Sequence, residues 1–312
     1  MPKTKLISFV LPVFNEEKGI TKFYAELNKI LEILKSEYEF EVIFINDGSK
    51  DLTLEYLIKL SNDDNRIKVI NFSRNFGHQL AITAGLDYSL GEAVIIMDTD
   101  LQDPPATAIE LIRKWEEGYE IVYAQRRTRV DGYLKKITAN IFYNVLDKLA
   151  EIEIPKNTGD FRLMDRKAVD YLNKFREKNR FMRGLSSYLG FKQIAILFDR
   201  HERFAGQTHY SIKKMFKLAT DGLIGFSTTP ITLVGYLSGI FTVLGLLIFL
   251  PALILSLSLN SVIFLLITVL SFIFTLFGIQ GLFISVIGIY IGRIYAEVLN
   301  RPLYMISSII KH

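Results

Sequence analysis

Cysteine is absent from the 312 residues, which excludes disulfides, thiolate metal sites and cysteine nucleophiles and fits a reducing compartment. Charge of either sign is absent from Gly222 to Gly292, where no Asp, Glu, Lys, Arg or His interrupts the chain. A run of that length accommodates two membrane helices. Glycine-rich phosphate loops are missing too. Neither Gly-x-Gly-x-x-Gly nor a Walker loop occurs, so dinucleotide and P-loop binding lose support. Excess basic charge is small: 37 Lys and Arg face 33 Asp and Glu, a formal net charge of +4, with both signs interleaved through the first part. Nucleic acid is therefore not an expected partner. No secretory signal is visible, because the apolar start at Leu6 is short, contains Pro12 and runs into Asn15-Glu16-Glu17. The amino-terminal part is expected to stay on the cytoplasmic side.

What is present alternates. Leu6 to Leu11 reads as a strand ending in the polar turn Pro12-Val13-Phe14-Asn15-Glu16-Glu17. A helix follows, with Ile20, Phe23, Leu27, Ile30, Leu31 and Leu34 on one face. Glu41 to Ile45 is a second strand, stopped by Asn46-Asp47-Gly48-Ser49, and Leu52 to Leu60 is helical. A third strand, Ile67 to Phe72, leads to Ser73-Arg74-Asn75-Phe76-Gly77, and Gln79 to Leu90 is helical. Pro104 to Glu117 is a helix closed by Gly118, and Glu120 to Ala124 is a further strand. This alternation predicts a doubly wound α/β sheet. Polar strand ends at Asn15, Asp47, Arg74 and Asp98 would then gather along one edge as a nucleotide-type cleft.

The most informative stretch is Val94-Ile-Ile-Met97 followed by Asp98-Thr99-Asp100-Leu101-Gln102-Asp103-Pro104-Pro105. The apolar part reads as a strand buried on both faces. Asp98 and Asp100 stand at its carboxyl end, two apart and so on one side if the strand geometry persists. Paired carboxylates call for a cation between them, and hard oxygen donors in small number suit Mg²⁺ or Mn²⁺ completed by phosphate oxygens. The same residues also read as a solvated acidic turn with Pro-Pro opening the next helix.

Beyond lies the basic cluster Gln125-Arg126-Arg127-Thr128-Arg129 and then an amphipathic stretch, about 130–150, that reads as a core helix or as one lying on a membrane surface. Asn157 to Arg166 reads as a Gly-centred polar turn before a helix. Residues 211–228 read as an amphipathic juxtamembrane helix, with Lys213, Lys214 and Lys217 beside its apolar face. Membrane helices are expected at about 231–255 and 262–291. Lysines and arginines flank the pair on both outer sides and the turn between has none, so both ends are placed in the cytoplasm. The domain scheme is thus a cytoplasmic catalytic domain over 1–210, the juxtamembrane helix, a hairpin within 229–292, and a cytoplasmic tail over 293–312. That tail is either exposed or a strand through which copies associate into a homo-oligomer.

Six ordered motifs carry a family resemblance: Val10 to Glu17, Ile45 to Ser49, Ser73 to Gly77, Met97 to Pro105, Gly159-Asp160-Phe161-Arg162, and Arg203-Phe204-Ala205-Gly206-Gln207-Thr208-His209-Tyr210. Together they resemble the inverting polyprenyl-phosphate glycosyltransferases of the GT-A fold, relatives of dolichyl-phosphate mannose synthase. The nearest likeness is to bacterial bactoprenol (undecaprenyl-phosphate) glucosyltransferases with two carboxyl-terminal membrane helices. One departure is Asn46, where many relatives carry Asp.

The resemblance implies a Rossmann-like, mostly parallel sheet. It also implies transfer of a sugar from a nucleoside diphosphate, UDP-glucose by preference, to polyprenyl phosphate at the inner (cytoplasmic) membrane. Mannose, an aminoarabinose derivative and N-acetylglucosamine are the alternative sugars. By the same resemblance Pro12, Phe14, Glu16, Glu17, Asp47, Arg74 and Asp98 bind the nucleotide-sugar. Asp100 and Gln102, with Asp98 close by, hold Mg²⁺ or Mn²⁺. Arg126, Arg162, Arg203 and Lys213 meet phosphate, and Asp160, Asp98 and Arg162 serve catalysis, Asp160 as base or as orienting group. A processive polysaccharide synthase is disfavoured because the only tryptophan, Trp115, lies in an early helix and Gln-x-x-Arg-Trp is absent. A non-catalytic scaffold is disfavoured by the intact Asp98, Asp100 and Gln102. A transporter is disfavoured by the lack of intramembrane charge.

Overall fold

A computed structural model describes residues 4–127, 155, 157–199, 229–258 and 262–311. The expected surface helix near 130–150, the juxtamembrane helix at 211–228, and Arg203 and Lys213 lie outside the described residues.

The chain divides into two compact units. The first is built on an eight-stranded sheet. Strands β1 (Lys5–Val13), β2 (Tyr38–Asn46), β3 (Ile67–Phe72) and β4 (Ala93–Ile96) are mutually parallel in the order β4-β1-β2-β3. Helices α1 (Ile20–Leu34), α2 (Thr53–Asp63) and α3 (His78–Tyr88) connect them. α1 buries the six apolar residues predicted for its inner face. α3 approaches β1 at Gly85, where an added Cβ would stand 2.2 Å from Val10 Cγ1. The order reverses between β1 and β4, so the crevice at their carboxyl ends is where an open α/β sheet takes a ligand.

Helix α4 (Thr107–Glu116) leads to β5 (Ile121–Arg126). The polar turn expected at Asn157 to Arg166 is instead strand β6 (Thr158–Asp165), antiparallel to both β4 and β5. Sandwiched between them, it is buried along Asp160 to Met164, polar residues included. Its Asp160 and Arg162 concealed the strand pattern, which ordinarily shows as apolar alternation. α5 (Arg166–Leu172), capped by the Asp165 carboxylate on the Lys167 amide, α6 (Met182–Tyr188) and β7 (Gln193–Phe198), parallel to β5, complete this side.

The second unit holds two helices, α7 (Thr229–Ser258) and α8 (Val262–Val298). Both are long and apolar enough to cross a membrane, and almost none of either is buried. α8 runs seven residues past the expected end at Ile291 and takes in Arg293. The helices meet where Phe249 stacks on Phe272 at 4.1 Å, beside Gly245.

The expected tail is not one. Residues Pro302–His312 belong to the first unit, and β8 (Ile306–Lys311) pairs antiparallel with β3 at the sheet edge. Leu303 is buried, Tyr304 stacks on Phe72 at 5.2 Å, and the Tyr304 hydroxyl donates to Asp87 Oδ2 at 2.6 Å. Asn71 reaches the same strand, its Nδ2 donating to Ser308 Oγ. Tyr304→Ala removes the stack and the hydrogen bond together, so it is expected to destabilise the first unit by about 2 kcal/mol. Denaturant melts of the full chain in detergent measure this.

Candidate active site

Parallel pairing brings the ends of β1 to β4 to one edge, and the antiparallel register of β6 adds a fifth element. Ile96 pairs with Arg162. Two residues further along each strand stand Asp98 and Asp160, so the register itself sets these carboxylates side by side. His78, the first residue of α3, lies between them. Its Nε2 is 3.4 Å from Asp98 Oδ1 and 3.2 Å from Asp160 Oδ2. Burial works against the charged imidazole, but the two carboxylates outweigh it and push His78 up to about 9.

Asp160 is buried and accepts from three side chains. Gln79 Nε2 donates to Oδ2 at 2.9 Å, Arg183 Nε to Oδ1 at 3.2 Å, and His78 Nε2 lies near Oδ2. Burial would raise its pKa, yet Arg183, His78 and Arg162 hold it well below the usual carboxylate range. Asp98 is pushed the other way, first by burial and then by the charges of Asp100 and Asp160, with His78 opposing. Arg162 is 3% exposed. One guanidinium nitrogen donates to Ser186 Oγ and the other to the Gly159 carbonyl at 3.0 Å, while Nε has no partner. Burial lowers this arginine to about 10 although Asp160 supports its charge. Arg126 reaches the same turn: a Cβ on Gly159 would be 3.3 Å from its Nη2.

The β2 end is built around Asp47. Its carboxylate accepts from the Phe76 amide at 2.7 Å and the Gly77 amide at 2.9 Å, and Asn75 Nδ2 donates to its carbonyl. Burial raises Asp47 while those two amides oppose the rise. Thus Asp47 holds the Arg74–Gly77 loop, where the Arg74 guanidinium lies 4.0 Å over the Phe76 ring. Gly48 makes this possible. It sits at φ +66°, and an added Cβ would come 2.4 Å from the Arg74 carbonyl carbon. Gly48→Ala is expected to cost about 2 kcal/mol of stability, which denaturant melts of the full chain in detergent measure. Asn46, the departure from the family pattern, uses both halves of its amide: Nδ2 donates to Asn71 Oδ1 and Oδ1 accepts from the Ser49 amide. An aspartate there would lack the donor.

The β1 turn interlocks with this loop. Asn15 accepts from the Lys50 amide, and its own amide donates to Ser49 Oγ. Glu17 accepts from the Leu52 amide, and the Glu16 amide donates to Thr53 Oγ1. Pro12 is buried and Phe14 is exposed at the crevice end of β1.

Among the described residues, no three His, Cys, Asp or Glu side chains converge as a ready-made metal cage. The donor set nevertheless fits a hard divalent ion. Asp98, Asp100 and Gln102 offer oxygen only, and the repulsion that raises Asp98 is what a cation relieves. Mg²⁺ is ordinarily held by one or two carboxylates with substrate phosphates completing its shell. Asp100 Oδ1 accepts from the Gln102 amide at 3.1 Å, and Leu101 between them takes φ 61°. This turn ties the Asp100 carboxylate to the Gln102 backbone. Asp103 is buried four residues ahead of α4.

Of the expected residues, Asp98, Asp160, Arg126 and Arg162 come together, with Asp100 and Gln102 on the turn that follows. Pro12, Phe14, Glu16, Glu17, Asp47 and Arg74 line the neighbouring strand ends. His78, Gln79 and Arg183 were not anticipated. His78 and Gln79 directly follow the Ser73–Gly77 motif, and that adjacency was the available signal.

A nucleotide-type crevice edged with carboxylates and arginines describes a group-transfer enzyme of the doubly wound α/β class. The pattern of glycosyl transferase family 2 matches residues 8–172. The chain is 47% identical over 302 residues to the uncharacterized glycosyltransferase YkcC of Bacillus subtilis, covering 96% of this chain and 93% of that one. It is 40% identical over 319 residues to the SfII prophage-derived bactoprenol glucosyl transferase of Shigella flexneri, covering 97% of each. Glucosyl-3-phosphoglycerate synthase from Mycobacterium tuberculosis, solved with Mg²⁺ and UDP, is 18% identical, with a TM-score of 0.45, over 69% of this chain and 75% of that one. The chain belongs to glycosyl transferase family 2 and is a glycosyltransferase with the GT-A architecture.

Proposed function

We propose that the protein transfers a sugar, glucose from UDP-glucose, to polyprenyl phosphate at a membrane surface, with inversion at the anomeric carbon. One observation carries the reading: Asp160 stands ionised beside Asp98 and among Arg126, Arg162 and Arg183, in a chain that goes on into two helices long and apolar enough to cross a membrane. The bactoprenol glucosyl transferase at 40% identity over 97% of both chains supports the same acceptor and sugar.

The chemistry follows from charge. A phosphate monoester has a second pKa of about 6, so the acceptor is mostly a dianion at neutral pH and needs placement more than a base. Asp160, held ionised by its donors, is a poor proton acceptor. It acts as a fixed anion beside the sugar, whose anomeric carbon becomes cationic as the leaving group departs. Arg126 meets phosphate, and Arg162 adds positive charge from its buried place behind Gly159. Arg203 and Lys213 are assigned to the lipid phosphate. The loop held by Asp47 and the β1 turn with Pro12, Phe14, Glu16 and Glu17 receive the nucleotide, and Arg74 lies beside it. Asp98, Asp100 and Gln102 would hold Mg²⁺ or Mn²⁺, which when bound supplies positive charge for the diphosphate.

The closing strand bears on topology. The chain enters the hairpin from the sheet-bearing unit and returns to that sheet at β8. If α7 and α8 span a bilayer, both outer ends therefore lie on one side. The arginines after the hairpin make that side the cytoplasm. Such an anchor keeps the protein on the membrane in which an isoprenoid phosphate is confined.

Asp98→Asn tests the site without touching the register. Turnover of UDP-glucose with undecaprenyl phosphate is expected to fall about 10²-fold while the melting temperature stays the same or rises, because a carboxylate repelled by Asp100 and Asp160 is removed. Unchanged turnover would remove Asp98 from the site.

A further inference from the structure

We propose that Gln79 is a positioning residue for the transfer reaction: one carboxamide orients Asp160 and anchors the helix that brings Arg183 to it. The proposal rests on the transfer reading above. Gln79 is the second residue of α3, just after the turn at Gly77 (φ 104°). Its Nε2 donates to Asp160 Oδ2 at 2.9 Å, and its Oε1 accepts from the Met182 amide at 2.9 Å. Met182 is the first residue of α6, and Phe181 before it supplies no side-chain cap. Gln79 therefore caps that helix from a distant part of the chain.

The helix so capped carries two further contacts of the site. Arg183 Nε donates to Asp160 Oδ1 at 3.2 Å, and Ser186 Oγ accepts from Arg162. Arg162 in turn holds the Gly159 carbonyl at 3.0 Å. Both oxygens of Asp160 are thus engaged, one by α3 and one by α6, and Gln79 ties those two helices together. A carboxamide suits this role. It offers a donor and an acceptor from one planar group, whereas glutamate offers acceptors alone and leucine neither. The backbone beneath is fixed as well, since Thr83 Oγ1 donates to the Gln79 carbonyl at 2.8 Å. A carboxylate meant to sit beside a cationic centre loses much of its effect when it is misplaced by about 1 Å.

The test uses the full chain in lipid nanodiscs with UDP-glucose, Mg²⁺ and undecaprenyl phosphate. Gln79→Glu keeps the acceptor for Met182 but sets an acceptor against Asp160. The expected result is a kcat lowered about 10²-fold with KM for UDP-glucose within about threefold of wild type. Gln79→Leu loses both contacts. It is expected to show a similar kcat loss and, by hydrogen exchange, at least about tenfold faster exchange of the Met182 amide. Wild-type kcat in Gln79→Glu would overturn the proposal, as would unchanged Met182 exchange in Gln79→Leu. Should the wild type pass no sugar to the lipid, the transfer reading fails. Met182 exchange then still decides whether the clamp exists, because it needs no activity.

Discussion

Asp160→Asn is expected to lower kcat about 10³-fold while leaving UDP affinity within a few-fold of wild type. The magnitude follows from two losses that act together. The substitution removes the negative charge proposed to stand by the sugar, and one preorganised charge of this kind is worth about 10²–10³ in rate. It also sets an amide among donors. His78 Nε2 and Gln79 Nε2 meet one oxygen of Asp160 and Arg183 Nε meets the other. An asparagine has one oxygen, so whichever way it turns, its NH₂ faces a donor. Buried at 6% exposure, that mismatch costs about 1–3 kcal/mol of stability. The Asp47 loop proposed to receive the nucleotide is not touched, so UDP affinity is expected to persist. Single-turnover kinetics and UDP titration separate the two effects. A variant that keeps wild-type kcat would take Asp160 out of the reaction.

Asp100→Asn is expected to lower turnover at least about 10²-fold at ordinary Mg²⁺ and to recover part of it at high Mn²⁺. The charge of Asp100 raises the cost of ionising Asp98. A divalent ion relieves that repulsion, and replacing one carboxylate by an amide weakens the hold without removing the oxygen donor. The turn itself survives, because an asparagine oxygen accepts from the Gln102 amide as the Asp100 carboxylate does. The melting temperature should therefore stay near wild type. Turnover independent of metal in both proteins would contradict the assignment of Asp100 and Gln102 to the ion.

How much of this was legible beforehand depended on whether local pattern and final environment agreed. Val94 to Met97 is buried on both faces and reads so, and its abrupt change to Asp98 and Asp100 marks a strand end. The inner face of α1 follows from helical spacing alone. β6 did not announce itself, because a strand that carries Asp160 and Arg162 into a buried layer breaks the apolar pattern that reveals strands. The partners of those residues, Arg183 and Ser186, are far enough along the chain that no spacing rule links them. β8 was hidden for a different reason. Ile306-Ser-Ser-Ile-Ile-Lys311 is only partly buried, and its partner β3 lies on the far side of the whole apolar segment. Motif resemblance found the strand ends, but the Gln79 clamp needs the register of three elements at once.

The most direct measurement is transfer itself. Full-length protein in a bilayer, given radiolabelled UDP-glucose, Mg²⁺ and undecaprenyl phosphate, is expected to move label into the lipid phase as a glycosyl phospholipid. NMR of that product should show the anomeric configuration opposite to the donor's. Label appearing only in water-soluble products, or entering lipid equally well without undecaprenyl phosphate, would contradict the assigned acceptor.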